Sequence, residues 1–297
     1  MTPPAGPPSR HVSRRRILAR RLAAVTALIV AALVAFVLVK VADRADSSPP
    51  PVTTAALPAP KPLRIVFPEG FTRRDMAARV RAVARIARHK RHVKPRLSPR
   101  AYLAATRPQR IPGFGRQKRP LEGFLFPATY DFLKRTTSAQ LVRMQLQAFQ
   151  RTWQRVKLGY ARSKNLTPYD VLIIASMIEK EAVAARDRPK IARVIYNRLH
   201  LGMSLGVDAT IRYALHIPGT KSLTESALHD PTPYNTRRHG GLPPTPISNP
   251  GLASIRAAAH PARGPWLYFV AAPDKVHTFF TSSLQAFERY KAQHGYR

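Results

Sequence analysis

One stretch constrains this chain more than any other: Thr167 to Ala185, TPYDVLIIASMIEKEAVAA. Thr167 followed three residues later by Asp170 predicts a capping box, and Pro168 suits the first helical turn. Val171 to Ile178 is almost wholly apolar, so the helix is predicted to be buried around most of its circumference. Into that burial the chain puts Glu179, Lys180 and Glu181. A buried carboxylate is costly unless paired or functional, and burial raises its pKa. A carboxylic acid that stays protonated near neutral pH is a proton donor of the kind that glycosidic bond cleavage needs.

Acids are scarce enough to make that placement informative. The 297 residues hold 50 Lys and Arg against 15 Asp and Glu, a net charge of +35. From Pro120 onward there are only eleven acids, and two of them directly follow this apolar run. Two positions apart means about 200° around the helix, so Glu179 and Glu181 cannot share one cleft. Glu179 falls on a stripe with Leu172, Ala175 and Ala182, and Glu181 on the side of Ile174, Met177 and Ile178. Spacing does not choose between them, and it leaves open a bland reading in which the helix end simply pairs with arginines. The positive field favours an anionic partner: nucleic acid, a membrane surface or an acidic wall polymer. With no cysteine, disulfides and thiol catalysis are excluded. The chain lacks a metal-binding helix motif, a P-loop, a dinucleotide-binding glycine pattern and a nucleophile elbow. His89 and His92 read as part of a solvated basic segment, so no metal and no cofactor is expected.

Residues 1–21 are Pro-rich and then Arg-rich, a disordered basic tail by composition. Leu22 to Val39 carries no charge and spans roughly 27 Å as a helix, near the hydrocarbon thickness. It is too long for a typical signal-peptide core, and no clear cleavage site follows directly. Six arginines before the span predict a cytoplasmic N-terminus and an extracytoplasmic remainder. That argues against nucleic acid as partner. A Pro/Ala/Thr linker runs through residues 43–62. Leu63 to Phe67 reads as a strand, and Thr72 with Asp75 starts a helix to about Arg88. Ser98 caps a short helix, residues 108–119 are loop, and Leu121 to Pro127 reads as strand-like, ending near Tyr130. Helices are expected over 138–158, 190–201 and 209–215, the last capped by Asp208. Thr220 to Pro250 is a long functional loop, followed by a helix to about Ala259, a hairpin (266–271 and 277–281, across Pro273, Asp274 and Lys275) and a closing helix from Ser283.

Several ordered motifs resemble the endolytic murein transglycosylases, the YceG-like family. They are LEGFLFPATYDF at 121–132, ASMIEKEA at 175–182, VIYNRLHLGMSLGVDATIRYAL at 194–215, TPYNT at 232–236, GLPPTPISNPGLASIRAAAHPA at 241–262 and WLYFVAAPDKVHTFFT at 266–281. RIVFPEGFT at 64–72 resembles the LysM-like part that precedes the catalytic domain in that family. The resemblance implies an α+β fold: an N-terminal transmembrane helix (22–42), a small LysM-like subdomain (63–115) and a mixed catalytic domain (116–297). It also implies a membrane-anchored lytic transglycosylase that cleaves the MurNAc–GlcNAc β-1,4 bond of nascent glycan strands to leave 1,6-anhydro ends. The first glutamate of the EKE run, Glu179, is the implied catalytic acid/base. Glu122, Glu181, Asn197, Asp208, Tyr234, Asn235, Thr236 and Asn249 match motif positions and are expected to bind substrate. Expected partners are peptidoglycan strands, the cell membrane and cell-wall synthases.

The chain departs from the family pattern in three places. Val207 stands where many relatives have Ser or Thr, Thr245 interrupts a GLPPGPI run, and SSLQAFERY replaces a Glu-His-Asn group after the hairpin. Two competing readings remain: a non-catalytic wall-binding module, and an anchored nucleic-acid binder, which would require a cytoplasmic domain.

Overall fold

In the computed structural model the described residues are 14–45, 62–274 and 276–296. The expected basic tail over 1–13, most of the linker (46–61) and Lys275 of the hairpin turn lie outside them. The chain divides into two units, Met1–Ala59 and Pro60–Arg297.

The first unit contains one helix, α1 (Arg14–Ala45). Within it Val25–Ala42 has a mean hydropathy of 2.7, long and apolar enough to cross a membrane, and its large side chains are exposed. The helix takes in Arg14 to Arg21, part of the stretch expected to be disordered. Arginine is a good helix former, and the apolar run extends backwards into it once nucleated.

The second unit opens with β1 (Leu63–Val66) and α2 (Arg73–Arg91), followed by α3 (Pro99–Ala105). The Thr72/Asp75 capping box forms in both directions, and Ser98 caps α3. Residues 108–119, read as loop, contain a minimal antiparallel pair, β2 (Gln109–Arg110) with β3 (Lys118–Arg119). The strand expected at Leu121 to Pro127 is absent. Gly123 takes φ +88°, Phe124 N–H donates to Leu121 O, and Leu125 N–H donates to the Asn249 side chain at 2.9 Å, so this apolar segment is a buried turn. The strand is instead β4 (Thr129–Phe132), which pairs with β1 in the register Leu63 to Phe132. That pairing crosses the expected boundary at 115/116, and both sides of it contribute to one hydrophobic core.

Then come α4 (Ser138–Trp153), α5 (Gly159–Arg162), α6 (Pro168–Glu181), a 3-10 turn (Ala185–Asp187) and α7 (Arg188–His200). The Thr167/Asp170 capping box is present at the start of α6. Tyr169 and every residue from Val171 to Ile178 are buried. Next are α8 (Asp208–Leu215), α9 (Glu225–Leu228) and α10 (Leu252–Ala259). Asp208 is the first residue of α8 rather than its cap, because its carboxylate reaches Arg237 instead of the helix N–H groups. The hairpin β5 (Tyr268–Ala271) and β6 (Thr278–Thr281) and the helix α11 (Leu284–Gln293), capped by Ser283, close the unit. Helix α6 lies at the centre, packed against α10, α7 and α8.

Candidate active site

The end of α6 separates two environments. On one side is a cavity of about 870 Å³, whose walls include Arg73, Glu122, Lys180, Glu181, Asp208, Arg212, Tyr213 and Tyr234. Glu179 is not among its lining residues. A separate pocket of about 480 Å³ is lined by Arg188 together with Arg155, Lys157, Arg256 and His260.

Glu181 sits on the wall of the larger cavity, against the N-terminus of α8, where the Ala209 N–H donates to it. Burial, and then the nearby Asp208 carboxylate, push its pKa up to about 7; Arg212 and Arg237 act in the opposite sense. Asp208 is more exposed and accepts from Arg237 Nη2 at 2.6 Å. On another wall lies Glu122, 2% exposed. It accepts from the Arg73 backbone N–H (3.0 Å), Asn249 Nδ2 (2.8 Å) and the Tyr213 hydroxyl (3.2 Å). Burial outweighs these donors and the Arg73 guanidinium, and its pKa also rises to about 7. A single cavity therefore carries two carboxyl groups poised near neutrality among four cationic side chains.

Glu179 has other partners. Its side chain is 6% exposed; Oε1 faces Arg188 Nη2 at 3.4 Å and Oε2 accepts from the Gly251 N–H at 2.9 Å. Arg188 is held in turn by Ser254 Oγ at 3.0 Å. The Glu69 carboxyl lies beside this pair; desolvation first and Glu179 second raise its pKa. A Cβ at Gly251 would overlap the Glu69 carboxylate where it now lies, so a larger residue there would displace that side chain. Lys180 Nζ reaches Gly70 O at 3.4 Å, fixing the turn after β1 against the end of α6.

The expected site residues thus divide. Glu122, Glu181, Asp208 and Tyr234 are brought to one cavity. Asn249 is fully buried and ties three segments: Oδ1 accepts from Leu125 N, and Nδ2 donates to Phe71 O and Glu122 Oε1. Asn235 is buried and donates to Leu228 O and Asp230 O, while buried Thr236 accepts from Val207 N–H. Asn197 uses its amide on Gly264 O and Trp266 O, away from the cavity. Glu179 stands at the Arg188 junction. Arg73, Tyr213 and Arg212 on the cavity wall, and Glu69 and Arg188 at the junction, were not singled out by sequence. A buried tyrosine hydroxyl or a lone arginine in a chain so rich in arginine gives no local signal. Among the described residues no cluster of three or more His, Asp or Glu side chains is arranged to hold a metal.

Comparison with known proteins identifies relatives of this chain. The endolytic murein transglycosylase of Bacillus subtilis is 37% identical over 179 residues, covering 60% of this chain and 49% of that protein. The endolytic murein transglycosylase of Streptococcus pneumoniae (strain ATCC BAA-255 / R6) is 36% identical over 180 residues, 59% of this chain and 32% of that protein. The matched part thus spans half or less of these relatives' length. A crystal structure of a putative YceG-like protein from Listeria monocytogenes superposes with a TM-score of 0.60 at 31% identity, covering 76% of this chain and 75% of that one. The model of the YceG-like family matches residues 47–293, and the chain belongs to that family.

Proposed function

We propose that this protein is a peptidoglycan lytic transglycosylase and that Glu181, rather than Glu179, is its proton-transfer group. The observation that carries this reading is the position of Glu181: on the wall of the large cavity, half-buried, with its pKa raised to about 7. Such a carboxyl is protonated often enough at neutral pH to donate, and it becomes a competent base once it has donated. Glu181 gives its proton to the glycosidic oxygen of a MurNAc–GlcNAc bond, and the C1–O bond breaks. The C6 hydroxyl of the same MurNAc then attacks C1 and returns its proton to Glu181, leaving a 1,6-anhydro end. One carboxyl serves both steps, so no water-activating partner is needed, unlike in an inverting hydrolase. The Asp208 carboxylate beside it supplies negative charge toward the developing oxocarbenium ion. Arg73, Arg74, Lys180 and Arg212 give the cavity a positive wall suited to the carboxylates of stem peptides.

In this reading α1 anchors the enzyme with its N-terminus in the cytoplasm, residues 63–115 form the LysM-like part, and cleavage ends strand growth beside the cell-wall synthases. A second reading keeps Glu179 as the acid, as the motif resemblance implies; the Glu69 carboxyl beside it is the observation in its favour. Digestion of purified glycan by the full chain, with mass spectrometry of the ends, tests both. Anhydro ends are expected from the unmodified chain and from folded Glu179→Gln, and none from Glu181→Gln. The reverse pattern would move the acid to Glu179. Absence of anhydro ends from the unmodified chain would overturn the activity, leaving a glycan-binding module.

A further inference from the structure

Two aromatic rings line the cavity with Glu181, and their tips are tied. Tyr213 on α8 and Tyr234 in the long loop have ring centroids 5.3 Å apart at 54° to one another. Both pack against the core on one side and border the cavity on the other. The Tyr213 hydroxyl donates to Glu122 Oε2 at 3.2 Å. The Tyr234 hydroxyl lies 2.8 Å from Thr245 Oγ1, and the Thr245 hydroxyl donates onward to Pro246 O at 2.9 Å. Because Thr245 commits its proton to Pro246, Tyr234 is the donor of the pair, and its oxygen keeps lone pairs for a ligand. Pro246 is itself fixed: a Cβ at Gly123 would come within 2.7 Å of it, so the loop carrying Thr245 rests directly on the backbone next to Glu122. Two half-buried aromatic faces, each with its hydroxyl fixed from behind, form a rigid apolar corner beside polar and charged groups.

We propose that Tyr213 and Tyr234 form the sugar-stacking wall of the cleft, and that Thr245 is the residue that positions it. A pyranose ring presents its C–H face to such a corner and its hydroxyls to the polar groups around it. Fixing the rings in advance removes part of the ordering cost of binding, so Thr245 acts on affinity through Tyr234 without touching the sugar. This inference rests on the proposed transglycosylase reading for its ligand, a β-1,4-linked N-acetylhexosamine chain.

The test is calorimetric titration of the full chain in detergent, in the Glu181→Gln background, with the hexamer of β-1,4-linked N-acetylglucosamine. Tyr234→Ala is expected to weaken binding about tenfold or more. Thr245→Val and Tyr234→Phe are each expected to weaken it about threefold, with no further loss in the double variant, since both remove the same hydrogen bond. Thr245→Ser restores binding. With Glu181 intact and wall glycan as substrate, Thr245→Val raises KM more than it lowers kcat. A purely structural role for Thr245 would instead lower the melting temperature without a selective change in KM. If Tyr234→Ala fails to fold, the Thr245→Val and Tyr234→Phe pair carries the test. The proposal is overturned if the parent protein does not bind the hexamer, or if these variants bind it within a factor of about 1.5 of the parent. Release of anhydro ends by the unmodified chain is scored separately. If that release persists while the variants bind normally, the stacking wall fails and the enzymatic reading stands.

Discussion

Glu179 and Glu181 lie two residues apart on the last turn of α6, and the surroundings treat them in opposite ways. The Glu179 side faces chain: Arg188 and the Gly251 N–H occupy its two oxygens, and Glu69 crowds in from the turn after β1. The Glu181 side faces space: a cavity of about 870 Å³ with Asp208 across from it and one backbone N–H in support. A carboxylate whose two oxygens are taken by a guanidinium and a backbone amide is held in place. A desolvated carboxyl beside a second acid favours holding a proton, which suits a donor. One helical turn therefore presents two carboxyl groups to different surroundings, and the half-turn between them keeps them apart.

The widest gap between the two sides should appear in turnover. Replacing Glu181 with Gln is expected to lower release of anhydro-ended fragments on the order of a thousandfold, with the melting temperature held within a few degrees. Equal losses on replacing either glutamate, in proteins equally well folded, would erase the distinction.

Stability should separate them in the other direction. Glu179→Ala leaves the Arg188 guanidinium, 15% exposed, without its carboxylate, and is expected to cost about 3 kcal/mol in denaturant unfolding. Gly123→Ala tests the loop on the cavity side. A side chain at φ +88° that also meets Pro246 should cost about 2 kcal/mol and lower turnover with it.

A pH series sharpens the contrast further. Glu122 and Glu181 have folded-state pKa values near 7, above the ordinary 4.5. In that interval the folded protein binds more protons than the unfolded chain, so their contribution to stability is full below about pH 4.5 and is lost as pH rises through 7. The slope of unfolding free energy against pH should be negative across this window and shallower in Glu181→Gln. Turnover should fall above about pH 7 as Glu181 loses its proton.

The smallest effect is expected at Arg237. Its pair with Asp208 is more than 40% exposed on both sides, so Arg237→Ala should change stability by less than about 1 kcal/mol. Because Arg237 lowers the Glu181 pKa, the falling limb of the pH–rate profile should shift upward in this variant.

Much of the local structure was legible. Thr72 with Asp75 and Thr167 with Asp170 declare their helices within four residues, and both boxes form as expected. The 100° rotation per residue also correctly implied that Glu179 and Glu181 could not share a cleft. Which of them would meet the cavity was not legible, because that depends on Arg188, Gly251 and Asp208, which arrive from elsewhere in the chain. Leu121 to Pro127 misled for the same reason: its apolar run suits a strand, but Gly123 turns the backbone and the Asn249 side chain takes the hydrogen bond a neighbouring strand would have used. The capping role expected for Asp208 gave way to Arg237, 29 positions later. Short-range rules reached the helices, and the walls of the cavity were set by partners they do not see.

The Asn249 side chain bonds to Phe71, Glu122 and Leu125, and its backbone N–H also donates to Phe71 O. Those contacts span 178, 127 and 124 positions of sequence. A nascent polypeptide consequently has no finished cleft until its last third has emerged, however early α2 and α6 coil up. The walls of the cavity are thereby joined only when synthesis of the chain is nearly complete.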